Sequence, residues 1–533
     1  LNNAVMSSHT ASLIKWLSNP ESYRTSSCRN KIAVKQTHLS VIFLLDDVVF
    51  KVKKQVELGF VDYSTLEKRH ALCEAEVQLN KRLAPSVYLD VVPIYHDKKR
   101  YVIEPNTISD DMVVVEYAVK MVRLPDEQSL LFDLKRGALC GDDLAPIAGV
   151  IANFHMNIAA RSPQISAFGS YENILFNVNE NFQQTASHVG QGFVSASVFA
   201  QVKSQTLKVL SDVHDLIQER AINDEICDSH GDLRLEHVYR CGSTINIIDC
   251  IEFNDRFRYG DPLLDVAFLY MDLFYESAGF SLPERLFAEY VKACRIQDVQ
   301  RLKPLVALYS SYRSIVRAKV TALRALDVDV DGDERDQSRK RAQRHWNVAL
   351  MLITSPSSRP GVILVSGLPG SGKSTVALAL ESLTSHSVII RSDVIRKESP
   401  GTVISYDDEA KAVLYGEMLV RASKLVSQGK LVLVDATFNL PAEVEHFRGL
   451  ALDQGVVFAI LLCCCKDQNV NRERIEKREG DASDANWEVY KRMARSWVGP
   501  TLTTANVSEV DTSGTLEQTK KNAQSALASI GLL

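Results

Sequence analysis

The stretch GLPGSGKSTVALAL at residues 367–380 constrains the fold of this chain more than any other. It sets Gly367, Gly372, Lys373 and Ser374 at the spacing G-x-x-x-x-G-K-[ST]. An apolar run, GVILVS, precedes it, and residues that favour helix follow it. A strand, a glycine-rich loop and a helix in this order are the context in which that spacing forms a phosphate-binding loop, or P-loop. The sequence therefore predicts a P-loop α/β domain with a parallel sheet.

The loop predicts an ATP site, because backbone N–H groups that turn inward at a helix N-terminus bind phosphate oxygens. The lysine of such a loop contacts the outer phosphates, and the hydroxyl after it binds Mg²⁺. The predicted ATP-binding residues are Gly367, Leu368, Pro369, Gly370, Ser371, Gly372, Lys373, Ser374 and Thr375. The predicted Mg²⁺ site consists of Ser374 and of Asp435, which ends the apolar run KLVLVD.

Length and composition predict an enzyme of several domains. A chain of 533 residues corresponds to about two to four domains. Its net charge of −5 gives no general basic surface for nucleic acid, and no apolar run approaches the ~18 residues of a membrane span. Ten cysteines without paired spacing, and the lack of a signal-peptide pattern, predict a cytoplasmic protein.

The order of sequence patterns predicts two domains. Strand-like runs and one charged helix precede residue 144, and the pattern beyond it is mostly helical. Ser and Pro crowd the stretch ITSPSSRPG before the P-loop strand, which marks a boundary. The predicted division is an N-terminal extension at 1–30, a first domain at 31–352, a linker at 353–360 and a P-loop domain at 361–533.

Five short motifs of the first domain occur in an order typical of one enzyme family. They are VVFKVKK with Lys51, the following helix with Glu76, HGDLRLEHV with Asp232, IIDCIEF with Asp249, and YGDPLLDVAFL with Asp261 and Asp265. Together they resemble the aminoglycoside phosphotransferase family, a branch of the protein-kinase-like fold. The resemblance implies a bilobal, kinase-like α+β first domain.

The resemblance also implies roles for these residues. Lys51 contacts the ATP phosphates and pairs with Glu76, with Glu74 as the weaker alternative. Asp232 orients the acceptor hydroxyl, and Asp249 binds Mg²⁺. Phosphoryl transfer needs these three kinds of group, so the chemistry agrees with the likeness. The alternative is that Asp232 and Asp249 only cap turns.

One position departs from that family. Five residues after Asp232 the family carries an Asn that binds a second metal ion, whereas this chain has His237. Because Mg²⁺ prefers oxygen ligands, an imidazole weakens or removes that site. Three outcomes stay open: catalysis with one metal ion, a substitute ligand such as Glu236, or a domain that binds a ligand without transferring phosphate. A fourth reading is that His237 is a packed histidine with no part in metal binding.

The P-loop domain contains further candidate catalytic residues. The segment SVIIRSDVIRKE places Asp393 just past a strand, where ligands of open α/β sheets bind. Asp393 is predicted to accept a proton from an attacking hydroxyl, and Arg396, one helical turn later, to hold an anion. Arg474 and Arg478 lie four residues apart in NRERIEKREG and are predicted to close over the phosphates as part of a lid. Plain alternatives are a helix cap at Asp393 and a solvated charged helix.

Residues from about 360 onward resemble small P-loop kinases: the kinase domain of polynucleotide kinases, chloramphenicol phosphotransferase, gluconate kinase and zeta toxins. The carried motifs are the P-loop, RSD with Asp393, and DATFN with Asp435. The whole chain resembles proteins described as bifunctional aminoglycoside phosphotransferase/ATP-binding proteins. These likenesses imply transfer of the γ-phosphoryl of ATP, with Mg²⁺, to a hydroxyl of a small molecule.

Two alternatives to this function remain at the level of the sequence. In one, the first domain is a ligand-binding or regulatory module that controls the P-loop domain. In the other, the acceptor is the 5′-hydroxyl of a nucleic acid, which the charge of the chain does not favour.

Overall fold

The computed structural model describes residues 8–23, 32–59, 61–105, 107–328, 330–398, 408–477, 486–500 and 507–533. The helices of these ranges are, in chain order, α1 Ser8–Leu17, α2 Leu66–Asn80, α3 Leu130–Lys135, α4 Leu144–Asn153, α5 Pro163–Ser166, α6 Tyr171–Thr185, α7 Ala196–Asp212, α8 His214–Ile222, α9 Asp255–Arg258, α10 Leu263–Ser277, α11 Ser281–Ala293, α12 Val299–Leu326, α13 Gly332–Ile353, α14 Lys373–Leu383, α15 Ser392–Glu398, α16 Asp408–Val426, α17 Pro441–Gln454, α18 Gln468–Glu476, α19 Trp487–Ser496 and α20 Leu516–Ser529.

Strands concentrate in two parts of the chain, before residue 123 and after residue 360. They are, in chain order, β1 Ala33–Gln36, β2 Ser40–Leu44, β3 Val48–Lys53, β4 Glu57–Leu58, β5 Val61–Asp62, β6 Tyr88–His96, β7 Tyr101–Ile103, β8 Val113–Val122, β9 Cys227–Asp228, β10 Val238–Cys241, β11 Thr244–Ile247, β12 Tyr259–Gly260, β13 Gly361–Ser366, β14 Ser387–Arg391, β15 Leu431–Asp435, β16 Val457–Cys464 and β17 Val507–Asp511.

The chain divides into two compact units. The first comprises residues 1–176, 213–276 and 281–306, and the second comprises 177–212, 277–280 and 307–533. Three-dimensional contacts therefore group helical segments from the middle of the chain with the P-loop region. The domain boundaries derived from the sequence, with a linker at 353–360, stay a prediction.

The first unit contains an antiparallel sheet in the order β1-β2-β3-β8-β6-β7. Successive side chains of a strand face opposite sides. Phe50 and Val52 of β3 accordingly pack in one apolar cluster with α1, and Val49 packs in another with α2. Lys51 and Lys53 share the side of Val49, so both ammonium groups face helix α2. This alternation fixes where the polar groups of the unit gather.

The second unit contains a five-stranded parallel sheet in the order β14-β15-β13-β16-β17. Strands β13 and β15 are buried along their whole length, as expected for parallel strands covered on both faces. Helix α14 packs against α20, and α16 against α17. The prediction of an α/β protein of two parts with a parallel sheet is confirmed.

Helices α7 and α13 are built into the second unit. Ser195 Oγ, just before α7, donates to the carbonyl of Ser427 at 2.8 Å, and Ser197 Oγ donates to that of Gln428 at 2.9 Å. These carbonyls directly follow the last residue of α16, where helix geometry no longer supplies donors, and Gln201 Nε2 of α7 also donates to that of Gln428 at 3.2 Å. On α13, Asn347 Nδ2 donates to the carbonyl of Gln454 at 2.9 Å. The P-loop region thus uses two helices that precede it in the chain, the distant α7 and the adjacent α13, as structural supports.

No helix within the described ranges is both long and apolar enough to cross a lipid bilayer.

We predict that Gly429→Ala destabilises the second unit. Gly429 has a left-handed backbone (φ +79°), and an added Cβ would lie 2.9 Å from Gln201 Nε2 of α7 and 2.9 Å from Leu350 Cδ2 of α13. The substitution therefore adds crowding, at about 1–3 kcal/mol, to the strain of a left-handed alanine. Scanning calorimetry should show a lower melting temperature for the second unit.

The matched control is Gly531→Ala. Gly531 has a similar φ of +74°, but its added Cβ would meet nothing within 4 Å. It therefore carries the backbone strain without the crowding. An equal decrease in melting temperature for the two variants would show that contacts with α7 and α13 do not crowd the turn at Gly429.

Candidate functional site

The P-loop lies between β13 and α14, and its path requires glycine at Gly367. The φ of this residue is +147°, and an added Cβ would lie 2.5 Å from Ser371 Oγ and 2.6 Å from the carbonyl oxygen of Cys463. Lys373 Nζ donates to the carbonyl of Leu368 at 3.0 Å, so the ammonium group lies against the loop. The predicted strand, loop and helix are thus present, with the lysine beside the loop backbone.

The hydroxyl and the carboxylate predicted to hold Mg²⁺ are in direct contact. Ser374 Oγ donates to Asp435 Oδ2 at 2.7 Å, and Asp435 is only 5% exposed. Burial raises the pKa of Asp435, and the nearby Lys373 offsets this only in part. Both groups offer hard oxygen donors, which fit Mg²⁺. Ser374 and Asp435 are therefore the residues that would hold this ion.

Arg391, the first residue of the RSD motif, also reaches this pair, a contact that the sequence patterns did not predict. Its Nη2 donates to Ser374 Oγ at 3.0 Å, and its Nε lies 3.5 Å from Asp435 Oδ2. Arg391 is the last residue of β14, so its position beside Asp435 follows from the pairing of β14 with β15. The sequence signals for Arg391 were its place in the RSD motif and at a strand end, and neither of them specified this contact.

Asp393 and Arg396 form an ion pair on α15. Arg396 Nη1 lies 3.1 Å from Asp393 Oδ1, and both side chains are about a quarter exposed, at 22% and 26%. The charge of Asp393 also contributes to the raised pKa of Asp435. The predicted proton acceptor therefore lies near the predicted metal ligands and remains open to solvent.

Arg474 lies close to the P-loop through Thr512. Its Nη2 donates to the carbonyl of Thr512 at 2.7 Å, and Thr512 Oγ1 donates to the carbonyl of Ser371 at 2.8 Å. Sequence patterns missed Thr512, which directly follows β17 at the same edge of the sheet as the P-loop. Arg478, the second predicted lid arginine, lies outside the described residues.

The first unit gathers a second set of charged groups. Lys51 Nζ lies 2.8 Å from Glu76 Oε1 and 2.6 Å from Asp249 Oδ1. Burial opposes the charge of Lys51, but the carboxylates of Asp249 and Glu76 hold its pKa well above the usual value. Glu74, the alternative partner, lies instead beside His70 at 3.6 Å. The structure thus brings together the three predicted residues.

A second buried lysine shares the same helix carboxylate. Lys53 Nζ lies 2.8 Å from Glu76 Oε2 and also pairs with Glu252, which accepts from the hydroxyl of Tyr63 at 3.0 Å. Burial disfavours the charge of Glu76, but Lys51 and Lys53 together lower its pKa. The period of two in β3 was the available signal for Lys53, since it puts both lysines on one side of the strand.

The backbone around Asp232 and Asp249 is held by neighbouring side chains. Asp265 accepts from the backbone N–H of His230 at 2.7 Å and of Gly231 at 2.9 Å, so it supports the loop before Asp232. Asp249 has a left-handed backbone (φ +65°), and its N–H donates to the Tyr88 hydroxyl at 3.1 Å. Left-handed aspartates of this kind often mark functional positions.

Asp232 and Asp249 meet at His237. His237 Nδ1 lies 3.6 Å from Asp232 Oδ2, and His237 Nε2 lies 3.6 Å from Asp249 Oδ2. One ligand atom from each residue lies within 4.8 Å of the others. Although burial favours a neutral carboxyl, Lys51 and His237 hold the pKa of Asp249 below its usual value. The first unit therefore presents one imidazole and two carboxylates around a single point.

Comparisons with known proteins agree with a nucleotide-binding second unit. Residues 362–500 match the family model described as an AAA domain. Among solved structures, a gluconokinase from Sinorhizobium meliloti 1021 is 21% identical and covers 32% of this chain and 94% of its own, at a TM-score of 0.25. A choline kinase from Cryptosporidium parvum Iowa II is 12% identical and covers 62% of this chain and 91% of its own, at a TM-score of 0.37. Scores below 0.5 leave the function to be argued from the residues.

Similarity to two mycobacterial proteins extends over most of the chain. Uncharacterized protein Rv2004c of Mycobacterium tuberculosis is 30% identical over 474 residues, which are 87% of this chain and 89% of that protein. Uncharacterized protein Mb2027c of Mycobacterium bovis gives the same identity and coverage. Because so long an alignment includes residues of both compact units, the similarity is not confined to the P-loop. The chain therefore belongs to the family of these mycobacterial proteins.

Proposed function

We propose that the second unit transfers the γ-phosphoryl group of ATP to a hydroxyl of a small molecule. The observation that carries this proposal is the contact of Ser374 with Asp435 at the P-loop, with Asp393 near them on the next helix. A P-loop accounts for nucleotide binding, and a solvent-accessible carboxylate beside it accounts for activation of an acceptor. The match of residues 362–500 to an AAA domain supports the nucleotide part.

The side chains of the unit account for each step of such a transfer. Asp393 accepts the proton of the acceptor hydroxyl as its oxygen attacks the γ-phosphorus. The bond from that phosphorus to the bridging oxygen breaks, and ADP leaves with the electron pair. Lys373 binds the phosphate oxygens, where charge accumulates. Mg²⁺, held by Ser374 and Asp435, would supply further charge neutralisation when bound.

Arg396 positions the proton acceptor. Its contact at 3.1 Å holds Asp393 near one orientation, and its own exposed fraction leaves the guanidinium able to contact an anionic group of the acceptor. An acceptor that contains a phosphate or a carboxylate would use this contact. A nucleic-acid end is a weaker candidate, since the chain has a net charge of −5.

We further propose that the first unit binds a nucleotide through Lys51 and performs a second transfer with Asp232 as proton acceptor. The supporting observation is the pairing of Lys51 with both Glu76 and Asp249, which fixes a lysine beside a candidate metal ligand. A lysine paired with a helix glutamate, near a metal-binding aspartate, is the arrangement that kinase-like phosphoryl transfer requires. A first unit that only binds nucleotide and regulates the second is the competing possibility.

We predict that Asp393→Asn lowers kcat by about 10²–10⁴-fold while ATP binding persists. The amide keeps the shape of the side chain but does not accept the proton. Lys373→Ala should instead weaken ATP binding, because it removes a phosphate contact. The measurement is ATP consumption with a panel of sugars, nucleosides, aminoglycosides and oligonucleotides, together with binding of a non-hydrolysable ATP analogue.

Asp453→Asn is the matched control, since Asp453 lies exposed on α17 of the same unit. It should behave as wild type with every acceptor. Wild-type turnover in Asp393→Asn would refute the assignment of the proton acceptor.

We predict that the Lys373→Ala background exposes the activity of the first unit. With the P-loop disabled, remaining acceptor-dependent ATP consumption should disappear on adding Asp232→Asn. Nucleotide binding in the same background should be lost on adding Lys51→Met, because the phosphate contact is gone.

Each result in this background decides between the two roles of the first unit. Binding that depends on Lys51, without any turnover, would show a regulatory nucleotide site. If this background shows no nucleotide binding and no turnover, both proposals for the first unit are refuted. The proposal for the second unit then remains intact.

A further inference from the structure

His237 has the hydrogen-bond partner and the surroundings of a metal ligand. Its Nδ1 lies 2.8 Å from the backbone carbonyl oxygen of Asp232. A carbonyl only accepts hydrogen bonds, so Nδ1 carries a proton and donates. The other nitrogen, Nε2, is therefore the one left to bind an ion. Metal-binding histidines typically donate one ring N–H to a carbonyl in this way while the second nitrogen binds the ion.

Nε2 faces carboxylate oxygens. Asp249 Oδ2 lies 3.6 Å and Glu236 Oε1 lies 3.8 Å from it. Negatively charged oxygens at these distances favour positive charge at Nε2, and a metal ion that replaces the ring proton supplies it. The imidazole is buried, with 11% of its side chain exposed, so water screens this electrostatic interaction poorly.

The two carboxylate oxygens of Asp249 contact different residues. Lys51 binds Oδ1 at 2.6 Å, which leaves Oδ2 directed toward His237. Glu236 pairs with Arg234, so its carboxylate is partly neutralised and is not counted as a ligand. Asp232, His237 and Asp249 then supply three ligand atoms within 4.8 Å of one another. Remaining coordination positions are available to water or to phosphate oxygens.

This donor set does not fit Mg²⁺. Mg²⁺ requires close to octahedral coordination by oxygen, and imidazole is a poor substitute for an oxygen ligand. First-row transition ions accept imidazole together with carboxylates. The histidine at this position therefore changes which ion the site selects rather than abolishing the site.

We propose that Asp232, His237 and Asp249 form a site for a divalent transition-metal ion of the Mn²⁺ to Zn²⁺ series, and that His237 makes the site discriminate against Mg²⁺. Ligand atoms of the three residues lie within 4.8 Å of one another, the hydrogen bond of His237 Nδ1 leaves Nε2 to bind the ion, and two carboxylates supply the opposite charge. This inference does not depend on the proposed function, because it concerns binding of the ion alone.

The experiment is a titration of the full chain with Mn²⁺, without nucleotide or acceptor, in which electron paramagnetic resonance measures the free ion. Wild type should bind Mn²⁺ at a site from which an equal concentration of Mg²⁺ does not displace it. His237→Asn supplies an amide oxygen, so Mn²⁺ should still bind but Mg²⁺ should compete at least about tenfold better. Pulsed measurements should detect imidazole nitrogen coupled to Mn²⁺ in wild type and not in His237→Asn.

His214→Asn is the matched control. His214 forms another His–Asp contact of the first unit, 2.9 Å from Asp215, but its side chain is 46% exposed and it lies on a different element. Mn²⁺ binding should not change in this variant. The Ser374 and Asp435 site is the same in all variants, so any difference between them belongs to His237.

Two results would overturn the proposal. One is that wild type binds no more Mn²⁺ than Asp249→Asn does. For this comparison the circular dichroism and the melting temperature of Asp249→Asn must match those of wild type. The other is Mn²⁺ and Mg²⁺ affinity unchanged by His237→Asn, which would show His237 to be an ion-pair partner of the carboxylates. Loss of phosphotransfer activity in any variant would bear on the proposed function. It would not affect the conclusion about metal binding.

Discussion

The parallel register of three strands is the constraint on which the second unit depends. Strand β15 pairs with β13 so that Asp435 lies opposite Val365, and with β14 so that it lies opposite Arg391. The P-loop, which follows β13, and helix α15, which follows β14, therefore begin on either side of Asp435, the last residue of β15. Because side chains alternate along a strand, a slip of one residue in β15 would turn Asp435 away from Ser374. The apolar runs that bury β13 and β15 thus also fix the geometry of the charged groups at their ends.

Both units hold charged side chains within low-dielectric surroundings by pairing them. Asp435 is almost fully buried and contacts a hydroxyl and an arginine, while Glu76 is fully buried between two lysines. A buried charge without a partner is costly, so each group restricts the others to a few arrangements. This requirement preorganises the sites before any ligand arrives, because the same partners that neutralise a carboxylate also orient it. His237 follows the same rule, since its two ring nitrogens lie 3.6 Å from the carboxylates of Asp232 and Asp249.

Several elements could be read from the sequence because their signals are local. The P-loop spacing, the strand that ends at Asp435 and the placement of Asp393 after a strand depend only on neighbouring residues. The proximity of Lys51, Glu76 and Asp249 followed from a family likeness, and their distances in the structure agree with it. Lys53 and Thr512 were missed, since a lysine in a strand and a threonine after one are ordinary in composition. The roles of Lys53 and Thr512 depend on partners that are distant in the sequence. Lys53 pairs with Glu76 and Glu252, and Thr512 bonds with Ser371 and Arg474.

The sequence by itself determined two things about this protein: a P-loop on a parallel sheet, and a separate set of short charged motifs before it. Short-range spacing specifies both, because a phosphate loop and a strand end are built from consecutive residues. Tertiary structure decided the rest. It placed α7 and α13 against the P-loop unit through contacts between residues more than one hundred positions apart, such as Asn347 with Gln454. It also turned His237 Nε2 toward the carboxylates of Glu236 and Asp249, since the direction of a side chain depends on the hydrogen-bond partners that folding brings to it.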